Sequence, residues 1–349
     1  MKYTSLKIDS NLFYMDKADE ITKEILSLLS DLNISTLSIV KIECILPVHT
    51  PDELVTCSEA FSSVLQTVFE KQQPANTLLA QELINSNNKA MLRFTICDDH
   101  ETKIEYKEFQ KHNYCLLTKL DEKVLVSGGI HFQSSSDALR SVQQTFDFVE
   151  QLLDHEEMHF GHIAHQSNYL SDIQSDNKDP LTGWTTIQTI EEIRSLYYDP
   201  NLFKHGYPLQ VINHIQTEDF ITDFIAAYKD GFPTAQFDQN DSSEQTQSCY
   251  IRGLNQVFVN PTIDEACSSS EEQLNTALKN IKEILKASTK QTSDVFEEIK
   301  ITIANKNDFE IIEQLVAKSV DTNKLSLFAG PLKDASLKVS IEAIATIVR

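Results

Sequence analysis

Apolar residues recur at helical spacing in three well-separated stretches. Ile21, Ile25, Leu28, Leu29 and Leu32 mark one face between Asp19 and Leu32. Leu139, Val142, Phe146, Val149, Leu152 and Leu153 do the same between Ala138 and Asp154, and Leu274, Leu278, Ile281, Ile284 and Leu285 between Glu271 and Ala287. Steps of three and four gather each set on one side of a helix, so each stretch predicts an amphipathic helix laid on a core. A short polar turn and a strand-like run follow every time: Leu37–Leu46, Ile163–Leu170 and Val295–Ile303. Helix and strand align without gaps. Leu28, Leu152 and Ile284 are each followed eleven residues later by Ile39, Ile163 and Val295. One loop length kept three times is the signature of a repeated unit.

The pattern continues beyond each strand. A second helix is expected at Pro51–Lys71, Ile187–Leu196 and Asp308–Val320. Two closing strands come next: Thr77–Leu83 with Ala90–Cys97, Leu209–Ile215 with Phe220–Tyr228, and Lys324–Ala329 with Leu337–Val348. Front strands precede the helices at Ile104–Phe109, Tyr114–Leu120 and Lys123–Ser127, then at Ser248–Arg252 and Gln256–Val259; the first unit has a shortened front or none. The reading is an α+β chain of three tandem ββαβαββ domains, at 1–100, 101–231 (with an insertion near 174–186) and 232–349. A sheet with helices on one face must cover the other. Three such sheets facing a common axis cover one another, which predicts an intramolecular pseudo-trimer and a monomeric chain.

Composition narrows the function classes. Against 52 Asp and Glu stand 30 Lys and Arg, a net charge of −22, with no basic run. Phosphate binding needs a cationic surface, so a nucleic-acid partner is not expected. No stretch of about 18 apolar residues occurs, nor an apolar leader after Met1, so neither membrane nor secretion is expected. The six cysteines, Cys44, Cys57, Cys97, Cys115, Cys249 and Cys267, form no C-x-x-C pair and several lie in apolar runs. They read as buried thiols of a reducing, cytoplasmic compartment.

The second unit resembles the Rid (reactive-intermediate deaminase, YjgF- or L-PSP-like) superfamily. The resemblance rests on Val124-Leu125-Val126-Ser127-Gly128-Gly129, Gln143-Gln144-Thr145-Phe146 and Tyr169-Leu170-Ser171-Asp172-Ile173. The third unit is similar through Gln273–Leu285, Asn307-Asp308-Phe309 and Val339–Ala345, and the first through Glu20–Cys97 with Gln73-Pro74-Ala75-Asn76-Thr77. The layout also resembles the chorismatases, single chains with an internal Rid-like trimer. The resemblance implies small-ligand clefts between units and no cofactor.

It also implies a substrate-carboxylate arginine just after a Pro-Ala pair on the penultimate strand, where a guanidinium fork gives two parallel hydrogen bonds. Asn76, Pro208-Leu209-Gln210 and Lys324-Leu325-Ser326 stand there instead. Lys324 is a point charge rather than a fork. Ordinary imine deamination is therefore not expected. The family's last-strand acid corresponds to Glu342 alone, with Met91-Leu92-Arg93-Phe94 and Ile221-Thr222-Asp223-Phe224 in the other units. Glu342 among Ile341, Ala343 and Ile344 is the candidate catalytic acid, with a carboxyl pKa raised by burial. In a chorismatase-like lyase or hydrolase it would donate the proton. That family's Tyr/Arg-rich segment before the third domain corresponds here to Tyr228–Phe237, which lacks the arginines, with Arg252 the nearest arginine. Ser127, Gly128, Arg252 and Lys324 are the candidate ligand contacts, for a small carboxylate or cyclic organic ligand.

His155-Glu156-Glu157-Met158-His159 has the form of a zinc-protease H-E-x-x-H, which needs both histidines on one face of a continuous helix. The repeat places it instead in the turn after the helix, so no metal site is expected. Ser127-Gly128-Gly129 lacks the Gly-Lys-Ser/Thr of a phosphate loop and reads as a strand-end turn. Trp184 lies in the insertion, a loop that either covers a cleft or packs back on its own domain, the second reading being preferred.

Overall fold

The computed structural model describes residues 1–347 other than 16, 49, 85–88, 133–137, 172, 175–177, 179–181, 218–219, 240–245, 264, 290–295, 319 and 322–323. Asp172, Val295 and part of the 174–186 insertion therefore lie outside the described residues. The chain forms three mixed sheets.

The first unit contains β1 (Lys2–Asp9), α1 (Asn11–Tyr14), α2 (Ala18–Asp31), β2 (Ile39–Leu46), α3 (Pro51–Phe69), β3 (Ala75–Ala80) and β4 (Lys89–Ile96). The second contains β5 (Lys103–Phe109), β6 (His112–Lys119), β7 (Glu122–Ile130), α4 (Ala138–His155), β8 (Ile163–Leu170), α5 (Thr186–Tyr197), β9 (Leu209–His214), β10 (Phe220–Lys229) and the two-residue β11 (Phe232–Pro233). The third contains β12 (Ala235–Gln239), β13 (Thr246–Ile251), β14 (Gln256–Val259), α6 (Ser270–Thr289), β15 (Phe296–Ile303), α7 (Phe309–Ala317), β16 (Leu325–Ala329) and β17 (Val339–Thr346).

The sheet orders β1-β4-β2-β3, β7-β10-β8-β9 and β14-β17-β15-β16 are the same topology three times. Units two and three extend theirs by β5-β6 and β12-β13. The first unit keeps one front strand, β1, and the third has β12, which the apolar pattern does not reveal.

Helix starts follow local rules. Pro51 opens α3 behind a capping box in which Thr50 Oγ1 accepts from Glu53 N and Glu53 Oε2 accepts from Thr50 N. Thr185 and Gln188 repeat the arrangement at α5. Each box satisfies two backbone donors that the first turn leaves open. The apolar stripes face the sheets as expected. Ile21, Ile25 and Leu29 join one buried cluster, Phe146, Val149 and Leu153 a second, and Leu274, Leu278 and Ile281 a third.

One detail of the repeat differs from the gapless alignment. β2 carries a bulge between Ile39 and Lys41 where it pairs with β4, and β15 carries the same bulge between Phe296 and Glu298. Ile39 therefore matches Phe296, not Val295, and the loop of unit three is one residue longer. On β8 the shift lies between Ile163 and His165. The bulge sets which residues face inward, because one residue of slip turns every side chain over.

The inner faces of the three sheets meet. A cluster including Val40, Ala75, Ala164, Leu209, Phe258 and Ile344 draws on all three units at one end, and one including Ile45, Leu79, Tyr169, Ile221 and Phe328 does so at the other. The pseudo-trimer follows directly from this shared centre. Two of its seams are roofed by the next unit's front strands. Cys115 and Leu117 of β6 lie over Val40 and Ala75, and Cys249 and Ile251 of β13 over Ala164 and Leu209. The matching positions of unit three carry Glu297 and Lys324, 3.9 Å apart.

α4 ends at His155, so the H-E-x-x-H run leaves the helix as the repeat requires. Glu156 accepts from Tyr114 Oη (2.5 Å) and pairs with Lys107, while His159 Nδ1 accepts from Gly161 N (3.0 Å). Trp184 donates its backbone N–H to Thr182 Oγ1 at 3.3 Å. No helix among the described residues is long and apolar enough to cross a membrane.

Candidate functional site

Between the two apolar clusters lies a ring of charged side chains. The bulge places Lys41, His165 and Glu298 at equivalent inward positions of β2, β8 and β15. Two residues on stand Glu43, Ser167 and Lys300. Opposite these, on the last strands, stand Arg93, Asp223 and Glu342, by the pairings Glu43↔Arg93, Ser167↔Asp223 and Lys300↔Glu342. The last-strand position of Glu342 is thus charged in all three units, and Asp223 is a second carboxylate there beside Glu342.

One equivalent pair from this ring crosses each seam. Lys41 Nζ meets Asp223 Oδ2 at 2.6 Å, His165 Nε2 donates to Glu342 Oε1 at 2.9 Å, and Glu298 Oε1 meets Arg93 Nε. The three contacts run one-to-two, two-to-three and three-to-one, and in the last the signs are exchanged. Cross-links tighten the ring. Arg93 also donates to Glu43 Oε2 and Ser326 Oγ, both at 2.8 Å, and Lys41 reaches Glu43 Oε1 at 3.3 Å. Lys300 Nζ lies 3.5 Å from Glu43 Oε1 and 3.9 Å from Glu298 Oε2. A buried charge is tolerable only when paired and hydrogen-bonded, and most of these are.

Two atoms are not. Glu298 Oε2 and Glu342 Oε2 are buried without a hydrogen-bond partner. At Glu342, burial pushes the carboxyl upward, but Lys300 and the His165 hydrogen bond outweigh it and hold the pKa at about 2. The raised pKa expected of a proton donor is not found, because the apolar strand neighbours point away and cations face the carboxyl. At Glu43, burial is likewise overcome, by Lys300, Lys41 and Arg93, and the carboxyl lies well below its ordinary range. Glu298 moves the other way. Burial raises it despite Arg93 and Lys300, with Glu43 and Glu342 adding repulsion.

Two cavities flank the ring. One, lined by Tyr169, Asn213, Phe328, Arg93, Lys300 and Glu342 among others, has 20 Å³ of room for the centre of a water. The other has 40 Å³, with Lys41, Ser127, His165, Asp223, Glu298 and Glu342 in its wall. About one water and about three would fill them.

The other sequence candidates fall in different places. Ser127 is buried in the wall of the larger cavity, with Oγ 2.9 Å from His112 Nε2. Burial and His131 bring His112 down to about 4, so its ring is neutral at pH 7. Gly128 packs on unit one, where an added Cβ would lie 2.5 Å from Thr77 Oγ1 and 2.9 Å from Lys41 Cε. Gly129, at φ 70°, donates its N–H to Asp223 Oδ1 at 2.6 Å. Arg252 is exposed at the start of a 3-10 turn. Lys324 donates to the Phe296 carbonyl at 2.7 Å. Neither Arg252 nor Lys324 lines the cavities beside Glu342.

Sequence reasoning found Glu342 and missed the ring. The signal was present in Lys41-Ile42-Glu43, Glu298-Ile299-Lys300 and Arg93, charges at alternate positions of strands otherwise apolar. A strand covered by helices on one face and by sister sheets on the other has no solvent side, so such charges must meet one another inside.

The chain matches no family model and no curated protein. Its structure superposes on the crystal structure of a chorismatase with a TM-score of 0.59 and 12% identity, over 88% of this chain and 93% of that one. The fold is shared with chorismatase. Looser overlays reach a YjgF-family protein from Neisseria meningitidis (TM-score 0.29, 13% identity, 33% of this chain and 96% of that one). They also reach a cyanuric acid hydrolase from A. caulinodans (TM-score 0.46, 6% identity, 100% and 99%). At the level of fold, then, the chorismatase-like resemblance holds.

Proposed function

We propose that this chorismatase-fold chain binds a small organic ligand in the inter-domain cavities at Glu342, and that it is not an imine deaminase of the ordinary Rid kind. The carrying observation is Glu342 itself. It is 5% exposed, one carboxylate oxygen has no partner, and it stands in the wall of both cavities with Arg93 and Lys300 opposite in one of them. A buried acceptor left open costs about 1–3 kcal/mol, which a ligand donor would recover. Against imine deamination stand the residues at the arginine position, Asn76, Gln210 and Leu325. Against a chorismatase-like proton donor stands the pKa of about 2, which keeps Glu342 ionised, fit to orient or stabilise a bound group.

The test is a thermal-shift and calorimetric screen of the full chain with small carboxylates, 2-imino acid precursors, chorismate and small amines. A ligand of the cavity at 100 times its Kd adds about 2.7 kcal/mol of stability. Glu342→Gln, with its fold verified by circular dichroism, is expected to weaken that ligand at least tenfold. A panel with no binder, or a binder indifferent to Glu342→Gln, overturns the reading.

A further inference from the structure

With His165 uncharged, the ring is short of one positive charge. Lys41, Arg93 and Lys300 face Glu43, Asp223, Glu298 and Glu342, and His165 is the remaining member. Unless a proton is added, the four carboxylates outnumber the cations. The shortage is local. Glu43 has three cationic neighbours and Asp223 accepts from Lys41, Thr77 and Gly129, but Glu298 and Glu342 each keep one oxygen with no donor. Both residues line the larger cavity, and both are about 95% buried, at 4% and 5% exposure. Lys300 Nζ lies 3.9 Å from Glu298 Oε2, beyond hydrogen-bond reach.

We infer that the larger cavity takes a small organic cation with N–H donors, of the size of methylammonium or guanidinium, seated between Glu298 and Glu342. Its charge completes the ring, its N–H groups satisfy the two open oxygens, and its size matches the room for about three waters. A planar or ammonium donor set suits carboxylate acceptors through charge-assisted bonds. No group of three or more His, Cys, Asp or Glu among the described residues is arranged to hold a metal ion, which points to an organic cation. A carboxylate ligand would add a like charge to a ring already short of cations. Glu298 is also the carboxyl whose ionisation this surrounding least tolerates, and a cation against its open oxygen relieves that.

This inference rests on the cavity reading above and narrows it to one ligand class. Methylammonium, guanidinium, tetramethylammonium, acetate and acetamide, at millimolar concentration and equal ionic strength, are each added to the full chain while Tm is recorded. Methylammonium or guanidinium is expected to raise Tm saturably by about 2 °C or more. Tetramethylammonium, equal in charge but without N–H, is expected to leave Tm unchanged, as are acetate and acetamide. Glu298→Gln, near in shape and one charge poorer, is expected to weaken the response at least tenfold, and Lys333→Gln at the surface to leave it intact. A rise with acetate and none with the amines overturns the cation while the cavity reading stands. Silence from every member of this panel overturns the cation too, and the broader screen then decides the cavity separately. The wild-type panel needs no variant, so a poorly folding Glu298→Gln does not obscure the answer.

Discussion

Arg93 is 3% exposed and divides its guanidinium among Glu43, Glu298 and Ser326, so its removal strands two buried carboxyls. Arg93→Met is expected to cost about 3–5 kcal/mol, read as a lowered urea midpoint at unchanged m. Arg93→Lys should lose part of the same, since an ammonium cannot fork. Glu342 gives a pH signature. Its folded pKa of about 2 lies below the usual 4.5, so its contribution is present above that usual value and is lost as pH falls through the folded one. The stability gap between wild type and Glu342→Gln is therefore expected to be full at pH 6 and to close between about pH 4.5 and 2, in Tm measured across that range. Glu43 acts in the same direction, and Glu298 in the opposite one. Glu342 was legible in the sequence as a last-strand acid, whereas Asp223 at the matching position was passed over. The ionised state of Glu342 was not legible, because that depends on Lys300 and His165 coming close in space.

At the scale of elements, the end of β7 is where units one and two touch most closely. An added Cβ on Gly129 would meet the Asn76 carbonyl oxygen, and its φ of 70° is one that side chains rarely adopt. Gly129→Ala is expected to destabilise by about 1–3 kcal/mol and to speed proteolysis across 1–130, measured by thermal melt and timed digestion. Glu156→Ala should likewise lower Tm through the loss of Tyr114 and Lys107, with no change in bound zinc by elemental analysis. Helices and central strands were readable because a 3.6-residue stripe of Ile, Leu, Val and Phe has one interpretation. β12 and the extra residue before β15 were not. Ala235–Gln239 is polar at an edge, and the bulge that shifts Phe296 is a matter of backbone pairing that apolar spacing cannot register.

For the molecule as a whole, the shared clusters mean that no unit covers its inner face alone. A chain cut after Gly231 exposes Ala164, Leu209 and the partners of Phe258, and is expected to be insoluble or molten, judged by near-ultraviolet circular dichroism. The ring adds a condition on assembly. In a trimer built from one unit alone, each seam would set that unit's β2-type residue against its own last-strand residue. Unit one would oppose Lys41 to Arg93 and unit three Glu298 to Glu342, both repulsive, whereas unit two would match His165 with Asp223. In a single chain each seam can instead join unlike residues, as these three do. Released as a separate polypeptide, the middle segment alone would set an imidazole against a carboxylate, rather than like against like, wherever three copies of it closed into a ring.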